Sequence, residues 1–277
     1  MNNLISALEL SRLLDDEHLR IVDTRFDLRD PAAGRRAYAA GHLPGAVFLD
    51  LEADLSGPVR TDRRGGRHPL PDPQRLAARL GAAGIGNAHR VVAYDDASGM
   101  IAGRLWWLLR YLGHRSVQVL DGGFRAWLEA GLPTSAEPPA HPPATFASAL
   151  QSELLVDRAY VLRNLDNPNV VLVDARAAER YRGDEEPLDP RAGHIPGALN
   201  LPFAGNLSEG RFRSPEALRE RFRDLEEAEE VVVYCGSGVS AAHDLIALEQ
   251  AGLRGAKLYA GSWSDWTSDP EALVATG

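Results

Sequence analysis

An internal repeat constrains the fold of this 277-residue chain more than any other feature. Four motifs of the first half return in the same order in the second: RIVDTR as VLVDAR, GHLPGAV as GHIPGAL, RVVAYDDASG as EVVVYCGSG, and LDGGFRAW as YAGSWSDW. The offset between matched residues is 152 for His42 and His194 but 140 for Tyr94 and Tyr234, so the second copy is shorter in its middle. Four matched motifs in order predict a duplication, and hence two domains of the same fold.

A proline-rich segment separates the two copies. Residues 131–146 contain five prolines, which cannot continue a helix or a central strand. We therefore expect a first domain at 1–135, a linker at 136–146 and a second domain at 147–277.

Within each copy, short β-branched runs alternate with helical patterns. VVAY and VVVY read as strands, and SAAHDLIALEQAG reads as a helix that ends near Gly252. This alternation predicts an α/β fold in which each domain has a mainly parallel sheet flanked by helices. Ligands of such sheets bind at the carboxyl ends of the strands.

Composition excludes several classes of protein. The formal net charge is -9, from 30 basic and 39 acidic residues, which argues against nucleic-acid binding. No apolar run has the roughly 18 residues of a membrane span, and the first residues lack the features of a signal peptide, so we expect a cytoplasmic protein that does not bind a membrane. The single cysteine excludes an internal disulfide.

That cysteine, Cys235, lies where a predicted strand ends. The sequence Cys-Gly-Ser-Gly-Val-Ser-Ala then leads into a helix. Two glycines allow a sharp turn, and successive backbone N–H groups together with the helix N-terminus form a cradle for an anion. Such a cradle favours the thiolate, which is the nucleophilic form of cysteine, and it would equally hold a persulfide.

The first copy serves as an internal comparison. It has Asp95 at the position of Cys235 and cannot accept a sulfur atom, so we expect it to be non-catalytic. Features that both copies share, such as Asp23 with Arg25 and the histidine of GH-x-PGA, are then expected to be structural. Arg191 has no counterpart in the first copy, and Arg180 and Arg191 could converge on a substrate anion; pairing with acidic neighbours is the alternative.

The ordered motifs VDTR, GHLPGAVFLDLEADLS, VLDGGFRAW, RYRG, YCGSGVSA and YAGSWSDW resemble the tandem-domain rhodanese family of sulfurtransferases, and most closely its 3-mercaptopyruvate-type members. The resemblance implies two rhodanese-like domains with the active site in the second. It implies that Cys235 takes a sulfur atom from a donor, holds it as a persulfide and passes it to a thiol or to cyanide. It implies no metal and no organic cofactor.

The resemblance also assigns roles to individual residues. It implies a relay of Ser237 with His42 and Asp30, for which Asp27 is an alternative, and it assigns the carboxylate and keto oxygen of the donor to Arg180 and Arg191. The loop residues that would contact the donor are Gly236, Gly238, Val239 and Ser240. Mercaptopyruvate-type members carry Gly-Ser-Gly-Val-Thr after the cysteine; Ser240 departs from the threonine but keeps a hydroxyl.

Two other activities stay open at this point, and a third is disfavoured. A thiosulfate:cyanide sulfurtransferase would use the same persulfide, and so would a persulfide carrier that serves a protein partner. A cysteine phosphatase would need an arginine six residues after the cysteine, where this chain has Ala241. We expect a monomer that uses small-molecule donors and acceptors, with a thioredoxin-like reductant as a candidate acceptor.

Overall fold

A computed structural model describes residues 2–277. The chain divides into two compact units of almost equal size. Unit 1 consists of residues 1–57 and 71–151, and unit 2 consists of residues 58–70 and 152–277.

Unit 1 contains a five-stranded parallel sheet. Its strands are β1 (Leu4–Ile5), β2 (Leu19–Asp23), β3 (Val47–Phe48), β4 (Arg90–Tyr94) and β5 (Val117–Leu120), in the spatial order β1-β5-β4-β2-β3. Its helices are α1 (Ala7–Ser11), α2 (Ala33–Ala40), α3 (Pro73–Ala82), α4 (Met100–Tyr111) and α5 (Gly123–Glu129). The central strands β2 and β4 are almost wholly buried, which agrees with the β-branched pairs Ile21 with Val22 and Val91 with Val92 at their centres.

Unit 2 repeats this architecture. Its parallel sheet has the order β6-β12-β11-β7-β8, with the strands β6 (Leu155–Val156), β7 (Val170–Asp174), β8 (Leu199–Asn200), β11 (Glu230–Tyr234) and β12 (Lys257–Tyr259). The helices are α6 (Arg158–Arg163), α7 (Ala178–Arg182), α8 (Pro215–Arg221), α9 (Ser240–Gln250) and α10 (Ser262–Trp266). An additional antiparallel pair, β9 (Leu207–Ser208) with β10 (Arg211–Phe212), lies between β8 and α8 in the sequence. The predicted α/β class, with a mainly parallel sheet flanked by helices in each domain, is confirmed.

The residue motif Asp-x-Arg closes the same strand end in both units. In unit 1 the Arg25 guanidinium bonds to the Asp23 carboxylate at 2.6 Å, and in unit 2 Arg176 bonds to Asp174 at 2.6 Å. All four side chains are buried, so each charge depends on its partner. These pairs hold the loop after β2 and β7 against the sheet and are structural, as the repeat predicts.

The observed units differ from the predicted domain boundaries in two places. The proline-rich segment packs on unit 1, where the Ala144 N–H donates to the Gly81 carbonyl and Phe146 is buried, so the division falls after Gln151 instead of within 136–146. Residues 58–70, which the sequence assigns to the first domain, belong to unit 2. Prolines mark an extended segment, but they do not determine the surface on which it packs.

Candidate active site in unit 2

Cys235 follows the last residue of β11, at the carboxyl end of the unit 2 sheet. Its side chain is buried, and the N–H of Gly238 donates to Sγ at 3.1 Å. Gly238 has φ +74°, and a Cβ there would collide with the carbonyl oxygen of Ala260. Only glycine therefore fits the turn that directs this N–H at the sulfur.

Ser262, the first residue of α10, also contacts Cys235. The Cys235 N–H donates to Ser262 Oγ at 3.1 Å, Oγ donates to the Tyr259 carbonyl at 2.9 Å, and Oγ lies 4.0 Å from Sγ. Ser262 is fully buried and has φ +56°, a left-handed conformation that costs a non-glycine residue energy. Its equivalent in unit 1 is Gly123, with φ +58°. Ser262 was not predicted from the sequence, although the change from GG in LDGGFRAW to GS in YAGSWSDW was a visible signal.

The equivalent loop of unit 1 contains a fixed anion. Asp95 is fully buried, and its carboxylate accepts N–H groups from four residues at 2.7–2.9 Å: Ala97, Gly99, Ile101 and Ala102. Burial raises the pKa of the Asp95 carboxyl, and the four amide hydrogen bonds oppose that rise. Helices α4 and α9 begin five residues after Asp95 and Cys235 respectively. This loop type is therefore able to cradle a negative charge, and in unit 2 the atom at its centre is a sulfur.

Ser237 forms a hydrogen bond with a histidine, but not with the one predicted. Ser237 Oγ lies 2.8 Å from Nδ1 of His68, and both side chains are buried. His68 belongs to the 58–70 segment of unit 2. The structure thus corrects the predicted Ser237–His42 pair to Ser237–His68.

His42 and Asp30 have other partners within unit 1. The two ring nitrogens of His42 lie 2.8 Å from the Tyr38 carbonyl and 3.1 Å from the Glu137 carbonyl, and its ring stacks on that of Tyr38. His194 in unit 2 is stacked on Tyr181 in the same way, which agrees with a structural role for both. Asp30 forms an exposed ion pair with Arg36, and Asp27 accepts the Arg29 N–H.

Two arginines cover the residue next to the thiol. A Cβ on Gly236 would lie 2.9 Å from Nη2 of Arg67 and 3.2 Å from Nη1 of Arg180, so both guanidinium groups reach this glycine. Arg180 also pairs with Glu186 at 2.6 Å, so the pairing with an acidic neighbour that the sequence left open is present. Arg191 instead donates to the carbonyls of Pro270 and Ala272 at 3.1 and 2.7 Å.

Neither Arg67 nor His68 was predicted from the sequence, although the repeat contains a signal for them. The repeat offset falls by 12 residues between the histidine and tyrosine landmarks, so the first copy carries extra residues in this interval. The 58–70 segment lies in that interval and joins unit 2. An insertion present in only one copy was therefore the place to search for residues with a chemical role.

The other predicted donor-contact residues lie between β11 and the first residue of α9. Val239 precedes α9 and is buried, Ser240 is its first residue and is partly buried, and Gly236 accepts the Ser264 N–H through its carbonyl at 3.0 Å. Within residues 2–277 no group of three or more histidine, cysteine or acidic side chains is arranged to hold a metal ion. None of the helices described in that range is long and apolar enough to cross a membrane.

The chain thus has a duplicated α/β fold in which one copy places a cysteine at a strand end, followed by a glycine-rich turn and a helix. The model of the rhodanese-like domain matches residues 6–130 and 157–269, and the chain belongs to this family. The predicted tandem rhodanese-like organisation is confirmed.

Within this family, the chain is similar to proteins named as sulfurtransferases. The chain is 48% identical over 279 residues to a probable 3-mercaptopyruvate sulfurtransferase of Pseudomonas aeruginosa, with 99% of this chain and 98% of that protein covered. It is 38% identical to a thiosulfate sulfurtransferase of Cricetulus griseus, with 94% and 89% covered. The crystal structure of the 3-mercaptopyruvate sulfurtransferase SseA from Escherichia coli superposes with a TM-score of 0.84 at 32% identity, covering 95% of this chain and 100% of that one.

Proposed function

We propose that this chain is a sulfurtransferase that takes a sulfur atom from 3-mercaptopyruvate, holds it as a persulfide on Cys235 and passes it to a thiol or to cyanide. The observation that carries the proposal is the buried sulfur of Cys235 at the centre of a loop whose Gly238 N–H donates to it at 3.1 Å. The 48% identity to a protein described as a probable 3-mercaptopyruvate sulfurtransferase supports the choice of donor.

In the first half-reaction the Cys235 thiolate attacks the donor sulfur. A sulfur–sulfur bond forms, the carbon–sulfur bond of the donor breaks, and its electron pair leaves as the enolate of pyruvate. The proton of the donor thiol moves to this enolate to give pyruvate. Ser237 lies in the Cys235 loop, and its hydrogen bond with His68 of the 58–70 segment suits the transfer of that proton.

The anionic groups of this reaction have partners in unit 2. Amide donors and the N-terminus of α9 stabilise the terminal sulfur of the persulfide anion. Arg67 and Arg180, which reach Gly236, are proposed to bind the carboxylate and keto oxygen of the donor. Arg191 was also predicted to bind the donor. Its guanidinium donates to carbonyls of the 270–272 segment, so we propose that it stabilises the protein around the site and does not bind the donor directly.

In the second half-reaction an acceptor thiolate or cyanide attacks the outer sulfur of the persulfide. The new bond to sulfur forms as the sulfur–sulfur bond breaks, and Cys235 leaves as the thiolate that began the cycle. A small thiol or a thioredoxin-like reductant would serve as acceptor. No metal or organic cofactor takes part in these steps.

Initial-rate assays test the proposal. Purified protein is given 3-mercaptopyruvate or thiosulfate with cyanide or dithiothreitol as acceptor, and Cys235→Ser is the matched inactive variant. We expect a higher kcat/KM for 3-mercaptopyruvate and no turnover by Cys235→Ser. A higher kcat/KM for thiosulfate would instead assign the thiosulfate activity named for the Cricetulus griseus relative.

A further inference from the structure

The two arginines that reach the Cys235 loop are tied to carboxylates on the segment that follows α7. Arg67 forms an ion pair with Asp189, and Arg180 Nη2 lies 3.3 Å from Asp189 and 2.6 Å from Glu186. The Asp189 side chain is completely buried, whereas Arg67 and Arg180 keep 18% of their side-chain surface exposed. Asp189 is thus a fixed internal counter-ion, and the arginines present their remaining N–H groups to the site.

The charges of Arg67, Arg180 and the side chains connected to them cancel without a bound substrate. Glu186 also pairs with Arg176 at 3.2 Å, and Arg176 pairs with Asp174 at 2.6 Å. The connected group therefore has three guanidinium groups and three carboxylates, which are Arg67, Arg176, Arg180, Asp174, Glu186 and Asp189. Its net charge is zero.

A neutral cluster still offers hydrogen bonds to an anion. Nη2 of Arg67 and Nη1 of Arg180 both lie close to Gly236, beside the thiol. One carboxylate can use such N–H donors, which suit its planar geometry. A second negative charge on the ligand would find no excess positive charge and would be repelled by the buried carboxylate of Asp189.

We infer that Asp189 is a specificity-determining residue, which lowers the net positive charge beside Cys235 and so favours donors with one negative charge over donors with two. This inference rests on the proposed function, because it concerns the choice of donor at the same site. An α-keto acid with a neutral thiol, such as 3-mercaptopyruvate, carries one negative charge. Thiosulfate carries two.

The kinetic test compares Asp189→Asn with the wild type. Removal of the buried charge should raise the ratio of kcat/KM for thiosulfate to kcat/KM for 3-mercaptopyruvate by about tenfold, the change that about 1.4 kcal/mol produces. Asp189→Ala should shift the ratio in the same direction, and Asp189→Glu should restore it. An unchanged ratio in both neutral variants would overturn the inference.

A matched control lies on the same segment. Asp184 pairs with Arg182 at 2.8 Å and is 55% exposed, so Asp184→Asn removes the same charge from a solvated position. Its donor ratio should stay within about twofold of the wild type, because solvent screens an exposed charge. A ratio shift as large as that of Asp189→Asn would assign the effect to overall net charge and reject a specific role for Asp189.

Asp189 also anchors Arg67 beside His68, so its loss could disturb the site mechanically. That disturbance would lower kcat/KM for both donors together and leave their ratio unchanged, whereas a charge effect moves the ratio.

An equilibrium measurement separates this inference from the proposed function. Binding of pyruvate, a monoanion, and of sulfate, a dianion, is measured by titration calorimetry on wild type and Asp189→Asn. We expect the variant to gain affinity for sulfate relative to pyruvate by about tenfold. Because this measurement needs no turnover, it can succeed even if neither donor proves to be a substrate; equal changes for both ligands would refute the role of Asp189.

Discussion

Replacement of Ser262 by glycine or by alanine separates the contribution of its hydroxyl hydrogen bonds from that of its left-handed backbone conformation. Both variants lose Oγ, which accepts the N–H of Cys235 and donates to the carbonyl of Tyr259. Leaving a buried backbone polar group unpaired costs about 1–3 kcal/mol. Alanine also retains the left-handed strain at φ +56°, whereas glycine relieves it.

The order of stability follows from these two terms. The strain is worth about 1–2 kcal/mol, so we expect Ser262→Gly to be about 1 kcal/mol more stable than Ser262→Ala. At an ordinary helical position the order is the reverse, because glycine costs about 0.5–1 kcal/mol relative to alanine. Ser264, in the same helix and with a buried hydroxyl that has no hydrogen-bond partner among the described residues, provides that ordinary position as a control.

Equilibrium unfolding in guanidinium chloride measures the free energy of unfolding of four variants, with Gly and Ala each placed at position 262 and at position 264. Turnover of 3-mercaptopyruvate is measured in parallel, and both Ser262 variants should lose about tenfold in kcat, the equivalent of about 1.4 kcal/mol. Equal stability of Ser262→Ala and Ser262→Gly would show that the left-handed strain at residue 262 does not exist. Full activity in both variants would show that Oγ does not support the position of Cys235.

Three further predictions concern the buried carboxyl groups of Asp95 and Asp244 and the side chains of Arg180 and Arg191. Asp95→Asn places an amide NH2 among four N–H donors, so it should destabilise the protein by at least about 2 kcal/mol in chemical denaturation; an unchanged midpoint would contradict the anion cradle of unit 1. Burial raises the pKa of Asp244 to about 8, so the folded state holds a proton that the unfolded state has lost, and the free energy of unfolding should fall between about pH 4 and pH 8. Asp244→Asn should remove this contribution, whose slope approaches about 1.4 kcal/mol per pH unit, and an identical pH profile in both proteins would be evidence against it. Arg180→Ala should raise the KM for 3-mercaptopyruvate at least about tenfold, and Arg191→Ala should raise it less; steady-state kinetics that gave the opposite order would restore Arg191 as the main donor ligand.

The parts of the fold that the sequence predicts are those with a local pattern. The apolar runs at 91–94 and 231–234 lie in buried central strands, since burial on both faces selects continuous apolar residues. Cys235 lies at a strand end as predicted, because a strand, a glycine-rich turn and a helix form one continuous local signal. Because the sequence repeats, the same strand, turn and helix are predicted around Asp95 in unit 1.

The 58–70 segment has no such pattern. It is rich in arginine, glycine and proline, and its packing depends on residues far along the chain: the Gly65 N–H donates to Asp265, and a Cβ on Gly66 would meet the Gly261 carbonyl. Periodicity describes which face of an element is buried, but it does not specify where an irregular loop packs. The assignment of Arg67 and His68 to the site therefore required coordinates.

The choice of His42 failed for a different reason. The repeat already indicated that features shared by both copies are structural, and His42 has the counterpart His194. Both histidines make the same structural contact, in which Nδ1 lies 2.8 Å from a tyrosine carbonyl oxygen. The resemblance to the family supplied the residue types of the relay, whereas the internal repeat carried the information that should have excluded this histidine.

We propose that the loop around Cys235 stores a sulfur atom between two half-reactions, and peptide mass spectrometry after incubation with 3-mercaptopyruvate, without an acceptor, detects that atom. We expect the peptide carrying Cys235 to gain one sulfur atom and to lose it again when dithiothreitol is added. Turnover of the donor by a protein whose Cys235 never gains that atom would rule out the persulfide.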